Sequence, residues 1–100
     1  MPYDDSLPSG EGAFSALIRG RVQGVGFRYA ACLEARSLGL TGYVKNEPDG
    51  SVAVYAEGER GALATFREWL NQGPCGARVD SIGAHSRKPC GYYSSFVIEH

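Results

Sequence analysis

Two arginines, a glutamine and three glycines lie close together in the segment 20-GRVQGVGFRYA-30. Gly24 and Gly26 allow the main chain to curve so that several N–H groups point toward one centre. A helix that begins near Phe27 adds unpaired N–H donors and a partial positive charge. Arg28 adds a planar set of donors that matches two oxygens of a phosphate or carboxylate. We therefore interpret this segment as a binding site for an anion.

The glycine spacing by itself is a modest signal. Gly24-x-Gly26 lacks the third glycine of a dinucleotide fingerprint, and no Gly-Lys-Ser/Thr of a nucleotide-binding P-loop follows it. On spacing alone, a plain strand-to-helix turn is an equally good interpretation.

The apolar pattern around this segment predicts alternating strands and helices. Phe14, Ala16 and Ile18 recur with the period of a strand, whereas the apolar residues after Phe27 recur with the period of a helix. Pro48-Asp49-Gly50 is typical of a hairpin turn. The predicted elements are a strand at 14–22, a helix at 27–39, a hairpin at 42–58, a helix at 59–73 and two strands at 78–86 and 95–99.

This order predicts an α+β fold of the ferredoxin-like βαββαβ type, a sandwich of an antiparallel sheet with two helices on one face. The first two strands should be parallel, with the third strand between them. The segment 23–27 and Asn46 should then lie near each other at one edge of the sheet. We assign the bulky residues Phe14, Phe66, Trp69, Leu70 and Phe96 to the core.

Composition limits the partners of the protein. The ten basic and eleven acidic residues give a formal charge of −1, so we expect neither nucleic acid nor a membrane as a partner. Residues 1–12 are polar and aperiodic, which predicts a disordered tail before a single domain at 13–100. No signal-peptide pattern or long apolar stretch is present, so we expect a cytoplasmic protein. We also expect it to be a monomer.

The segments 20-GRVQGVGFR-28 and 42-GYVKNEPDGSV-52 resemble the two signature regions of the acylphosphatase family. The resemblance extends from about Ala13 to Glu99 and implies a ferredoxin-like enzyme that hydrolyses the carboxyl-phosphate anhydride of small acyl phosphates. It implies inorganic phosphate as a product inhibitor, and neither a metal nor a cofactor. By position it implies two catalytic residues, Arg28 and Asn46, and a phosphate-binding loop made of Gln23, Gly24, Val25, Gly26, Phe27 and Arg28. Glu47-Pro48 replaces the Thr/Ser-rich turn of some relatives, at the rim of the implied site.

The implied roles agree with the chemistry of these side chains. An acyl phosphate releases a carboxylate, a weak base, so the reaction needs no strong general acid. The main tasks are to hold the phosphoryl group and to place a water in line with the breaking bond. Asn46 is a neutral amide that orients water but is too weak a base to deprotonate it. The family's substrate-assisted mechanism gives that proton to a phosphate oxygen.

Alternative functions fit the sequence less well. A non-catalytic module that binds acyl or carbamoyl phosphate would use the same loop, and only the presence of both Arg28 and Asn46 favours the enzyme. An RNA-binding sheet needs several exposed aromatic residues, and on the third strand only Tyr55 meets that need. A cysteine phosphatase needs a thiolate in the anion loop, whereas Cys32 falls within a predicted helix.

The remaining polar residues have ordinary interpretations. We expect Arg19 and Arg21 to be solvated on the polar face of the first strand. His85 and His100 lack a partner at recognisable spacing, so we assign them no catalytic or metal-binding role. The cysteines favour reduced thiols, although a bridge between Cys75 and Cys90 stays open.

Overall fold

A computed structural model of the chain describes residues 10–100. Residues 1–9 of the predicted tail lie outside the described residues, and the first strand already begins at Glu11, before the predicted domain start at Ala13. The elements are β1 (Glu11–Arg21), α1 (Phe27–Ser37), β2 (Thr41–Asn46), β3 (Val52–Glu59), α2 (Arg60–Leu70), β4 (Arg78–Arg87) and β5 (Phe96–Glu99). No helix in this part of the chain is long and apolar enough to cross a membrane.

The five strands form one mixed sheet in the order β4-β1-β3-β2-β5. The prediction of a purely antiparallel sheet was wrong at one edge, because β5 pairs with β2 in parallel. The reason is topological: after β4 the chain crosses to the opposite edge of the sheet and enters it in the direction of β2. With one sheet and one helix layer, the molecule is described better as a two-layer fold than as a sandwich.

The predicted arrangement of the first three strands is confirmed. β3 lies between β1 and β2 and is antiparallel to both, so β1 and β2 run in the same direction. Their carboxyl ends, at Arg21 and Asn46, therefore meet at the same edge of the sheet. The turn that opens α1 and the hairpin that follows β2 are both at this edge.

Both helices pack on one face of the sheet. Phe14, Ala16 and Ile18 of β1 are buried there, as their alternation predicted. Phe66 and Leu70 of α2 are buried as expected, together with Leu63, while Trp69 is only partly buried. The buried face of α2 therefore includes Leu63, which was not among the residues assigned to the core.

Two contacts hold β5 in place. Phe96 is fully buried and meets Phe66 edge-to-face with ring centroids 5.6 Å apart, a burial that contributes about 1.5–3 kcal/mol. The buried carboxylate of Glu57 accepts hydrogen bonds from the Tyr55 hydroxyl at 2.7 Å and from the N–H groups of Cys90 and Gly91 at 3.0 Å each. These bonds, first of all the one from Tyr55, keep the pKa of Glu57 below its usual range. The loop at 88–95 is thereby tied to the sheet just before β5.

The three cysteines are free thiols. Cys32 is buried in α1, and Cys75 and Cys90 are exposed in separate loops, so the bridge left open by the sequence is not formed.

Candidate active site

The turn between β1 and α1 requires its glycines. Gly24 and Gly26 have φ angles of 75° and 78°, in the left-handed region that other residues avoid. A Cβ atom at either position would meet nothing within 4 Å, so both glycines border open space. Gly26 is the N-cap of α1, and no side chain of the described residues caps this helix end. The first N–H groups of α1 are therefore left for a ligand.

A cavity of about 260 Å³ lies in front of this helix end. It brings Arg28, from the first turn of α1, together with Asn46, from the end of β2, as the topology predicted. Neither Gln23 nor Val25 is among the lining residues, so the predicted loop borders the cavity only in part. The lining residues are Val22, Gly24, Gly26, Phe27, Arg28, Tyr29, Asn46, Ile98 and His100.

Asn46 lines this cavity, and its side-chain oxygen is a buried acceptor without a partner in the described part of the chain. Its Oδ1 atom is buried and has no hydrogen-bond partner among residues 10–100. Leaving such a group unpaired costs about 1–3 kcal/mol, so native structures nearly always pair it with protein or water. Within this range of residues, the side-chain carbonyl oxygen of Asn46 is therefore an unsatisfied acceptor in the wall of the cavity.

The side chain of Gln23 connects the loop to the β2–β3 hairpin. Its Nε2 atom donates to the carbonyl oxygens of Glu47 at 2.8 Å and of Ser51 at 2.9 Å. These bonds hold the loop between β1 and α1 against both sides of the β2–β3 hairpin. Because Glu47 directly follows Asn46, Gln23 helps to fix the position of Asn46 relative to the loop.

The hairpin turn has its own hydrogen-bond network. The Asp49 carboxylate accepts from the Ser51 hydroxyl at 2.6 Å and from the Ser51 N–H at 3.0 Å, and Arg19 Nη1 lies 3.0 Å from its Oδ2 atom. The two Ser51 bonds, followed by Arg19, lower the pKa of Asp49 from its ordinary value of 3.8 to about 2. Arg19 is exposed as predicted, yet it is paired with Asp49 rather than only solvated.

His100 is a cavity residue that the sequence analysis missed. Its Nδ1 atom lies 3.5 Å from Arg28 Nη1. A guanidinium only donates hydrogen bonds, so Arg28 is the donor side of this long contact. The available signal was the two-residue alternation along β5, which places Ile98 and His100 on the same side. It could be used only once β5 was known to lie beside β2.

The fold and the cavity define a class of protein: a ferredoxin-like domain with a glycine-containing loop at a helix N-terminus that no described side chain caps, an arginine beside it and an amide opposite. The sequence model of the family described as Acylphosphatase matches residues 14–98. The chain therefore belongs to the acylphosphatase family, whose enzymes hydrolyse acyl phosphates.

Individual relatives agree with this assignment. The chain is 43% identical over 84 residues to an acylphosphatase of Mannheimia succiniciproducens, covering 84% of this chain and 93% of that one. It is 50% identical over 70 residues to an acylphosphatase of Nocardioides sp., covering 70% of this chain and 71% of that one. The crystal structure of the acylphosphatase from Bacillus subtilis matches with a TM-score of 0.85 and 36% identity, covering 89% of this chain and 99% of that one.

Proposed function

We propose that the chain hydrolyses small acyl phosphates by in-line attack of a water molecule that Asn46 orients, without a metal or cofactor. The loop amides and Arg28 hold the phosphoryl group. The observation that carries this proposal is the cavity that Asn46 lines together with Arg28 and the start of α1, with the Oδ1 atom of Asn46 left without a partner among the described residues.

The helix N-terminus and Arg28 supply the binding of the phosphoryl group. Main-chain N–H groups at a helix start donate to phosphate oxygens, and the helix dipole favours negative charge there. Arg28 adds charge-assisted hydrogen bonds. Its 3.5 Å contact with His100 is long for a hydrogen bond, so exchanging it for a phosphate oxygen costs little. A preorganised donor of this kind contributes about 3–4 kcal/mol to the transition state.

The attacking water binds at Asn46. It donates one hydrogen bond to Oδ1, which leaves its oxygen lone pair directed at phosphorus. The P–O bond to the water forms while the P–O bond to the acyl group breaks, and the carboxylate leaves with the electron pair. The proton of the water passes to a non-bridging phosphate oxygen, because an amide is too weak a base to accept it.

The proposal is tested by following the hydrolysis of benzoyl phosphate in the presence of a chelator. We compare the wild type with Arg28→Ala and Asn46→Ala, and use Arg67→Ala as a matched control because Arg67 is an exposed arginine on α2. We expect turnover by the wild type and the control, competitive inhibition by inorganic phosphate, and a loss of at least a hundredfold in both site variants.

One result would favour the alternative function. A wild-type protein that binds inorganic phosphate but releases no benzoate would be a non-catalytic acyl-phosphate-binding module built on the same loop. Turnover that disappears with the chelator and returns with added metal would refute the metal-independent mechanism.

A further inference from the structure

A second groove begins where the cavity ends. It has a volume of about 330 Å³ and lies between α1 and β5 at the edge of the sheet. Its helix residues follow the i, i+3, i+4, i+7 spacing of a single face. The groove is lined by Tyr29, Cys32, Leu33, Arg36, Val97 and Ile98.

This groove is continuous with the cavity. Tyr29 and Ile98 line both spaces, so they form a shared wall between the phosphate loop and the groove. A ligand whose phosphate binds at the start of α1 can therefore extend past Tyr29 along the side of the helix. From Tyr29 to Arg36 the helix rises about 10 Å.

The groove offers exposed carbon surface. Among the described residues, three large hydrophobic side chains are exposed, and two of them line this groove: Tyr29 at 66% and Leu33 at 51%. One exposed apolar residue is ordinary, but adjoining ones in a concave site are typical of a binding surface. Cys32 Sγ and Arg36 Nε already donate to the carbonyl oxygen of Phe96, at 3.4 Å and 2.9 Å.

We propose that this groove binds the acyl group of the substrate, and that the preferred substrates are acyl phosphates with an apolar acyl chain of several carbons. The inference rests on the proposed function, because the phosphate must first bind at Arg28. The chain of such a substrate covers Leu33 and contacts Val97 and Ile98. An acetyl group is too short to reach Leu33 from the cavity.

The test compares kcat/KM for hexanoyl phosphate and acetyl phosphate in the same preparation. We expect the wild type to favour hexanoyl phosphate by about tenfold, since contact of methylenes with an apolar site contributes discrimination of this order. Leu33→Gln, which keeps high helix propensity, should reduce the preference to near unity, chiefly through a higher KM for hexanoyl phosphate. Tyr92→Gln is the matched control, because Tyr92 is 80% exposed and lies outside the groove; it should keep the preference.

The outcomes separate the inference from the proposed function. Turnover of both substrates with equal efficiency, or a preference that Leu33→Gln leaves intact, would overturn the acyl groove while leaving the hydrolase proposal standing. No turnover of either substrate would overturn both. If sedimentation shows a dimer that Leu33→Gln dissociates while the preference persists, the groove is covered by a second copy of the chain and the inference is wrong.

Discussion

Replacing Asn46 by valine should remove activity without lowering the stability of the ligand-free protein. The wild type keeps a buried Oδ1 atom without a protein partner among residues 10–100, a feature that costs about 1–3 kcal/mol when unpaired. Valine removes that acceptor and also suits the last position of a strand better than asparagine, by up to about 1 kcal/mol. The sign of the stability change is therefore opposite to that of most substitutions.

The magnitude follows from these terms. If water pairs with Oδ1 in the free protein, only the strand term remains, so Asn46→Val should raise the free energy of unfolding by up to about 1 kcal/mol. For a domain of this size, about 1 kcal/mol corresponds to a rise in Tm of roughly 4–8 °C. The same substitution should lower kcat/KM for an acyl phosphate by at least a hundredfold, because the attacking water loses the acceptor that orients it.

The assay is thermal unfolding followed by circular dichroism, in phosphate-free buffer and again with inorganic phosphate. In the proposed site Arg28 and the helix N-terminus hold the phosphate, so its addition should raise Tm in both proteins. A decrease in Tm of several degrees for the ligand-free variant would refute the reasoning, since it would mean that the Asn46 amide stabilises the native hairpin. Retained activity would refute the role of Asn46 as the group that orients water.

Four further substitutions test the turn before α1, the β2–β3 hairpin and the loop before β5, with Gly39 as a control position. Gly26→Ala and Gly39→Ala each introduce a side chain into open space, at φ angles of 78° and 74°. Both should lower the free energy of unfolding, measured by urea denaturation, by about 1–2 kcal/mol. Only Gly26→Ala should also lower kcat/KM, by at least tenfold. Asp49→Asn should lower Tm relative to the wild type above pH 4, and the difference should vanish toward pH 2. The reason is that the ionised Asp49 carboxylate, whose pKa is lowered to about 2, stabilises the folded protein above pH 3.8. This stabilisation is lost as the pH falls through about 2. Glu57→Gln should destabilise the protein by about 1.5–3 kcal/mol in urea denaturation, because the loop donors lose a charged acceptor; an unchanged midpoint would contradict its role in holding the loop before β5.

The sequence predicted the elements around the site correctly where the apolar pattern of each segment and the strand topology lead to the same arrangement. Alternation in β1 and the helical spacing after Phe27 predicted the elements around the loop, and right-handed crossover topology placed Asn46 beside it. The sequence also indicated a sharp turn at Gly24 and Gly26, because glycine adopts positive φ angles more readily than other residues.

The parts that could not be predicted depend on long-range pairing. The position of β5 is set by Phe96 packing on Phe66 and by the Glu57 carboxylate, and neither contact leaves a local pattern in the sequence. The direction of β5, the presence of His100 at the cavity and the groove beside α1 all follow from that position. The side-chain amide of Gln23 was likewise ambiguous, since an amide serves equally as a ligand and as a bridge to main-chain carbonyls.

The parallel pairing of β5 with β2 also bears on the order in which the protein folds. It joins Gly42 to Phe96, whereas β2 and β3 are joined through a tight turn, and closing a long loop costs more entropy than closing a short one. During refolding, the β2–β3 hairpin, which contains Asn46, should therefore form before β5 pairs with β2. The native contacts of Ile98 and His100 should then form last. Recovery of the part of the cavity that these two residues line would report the final step of folding.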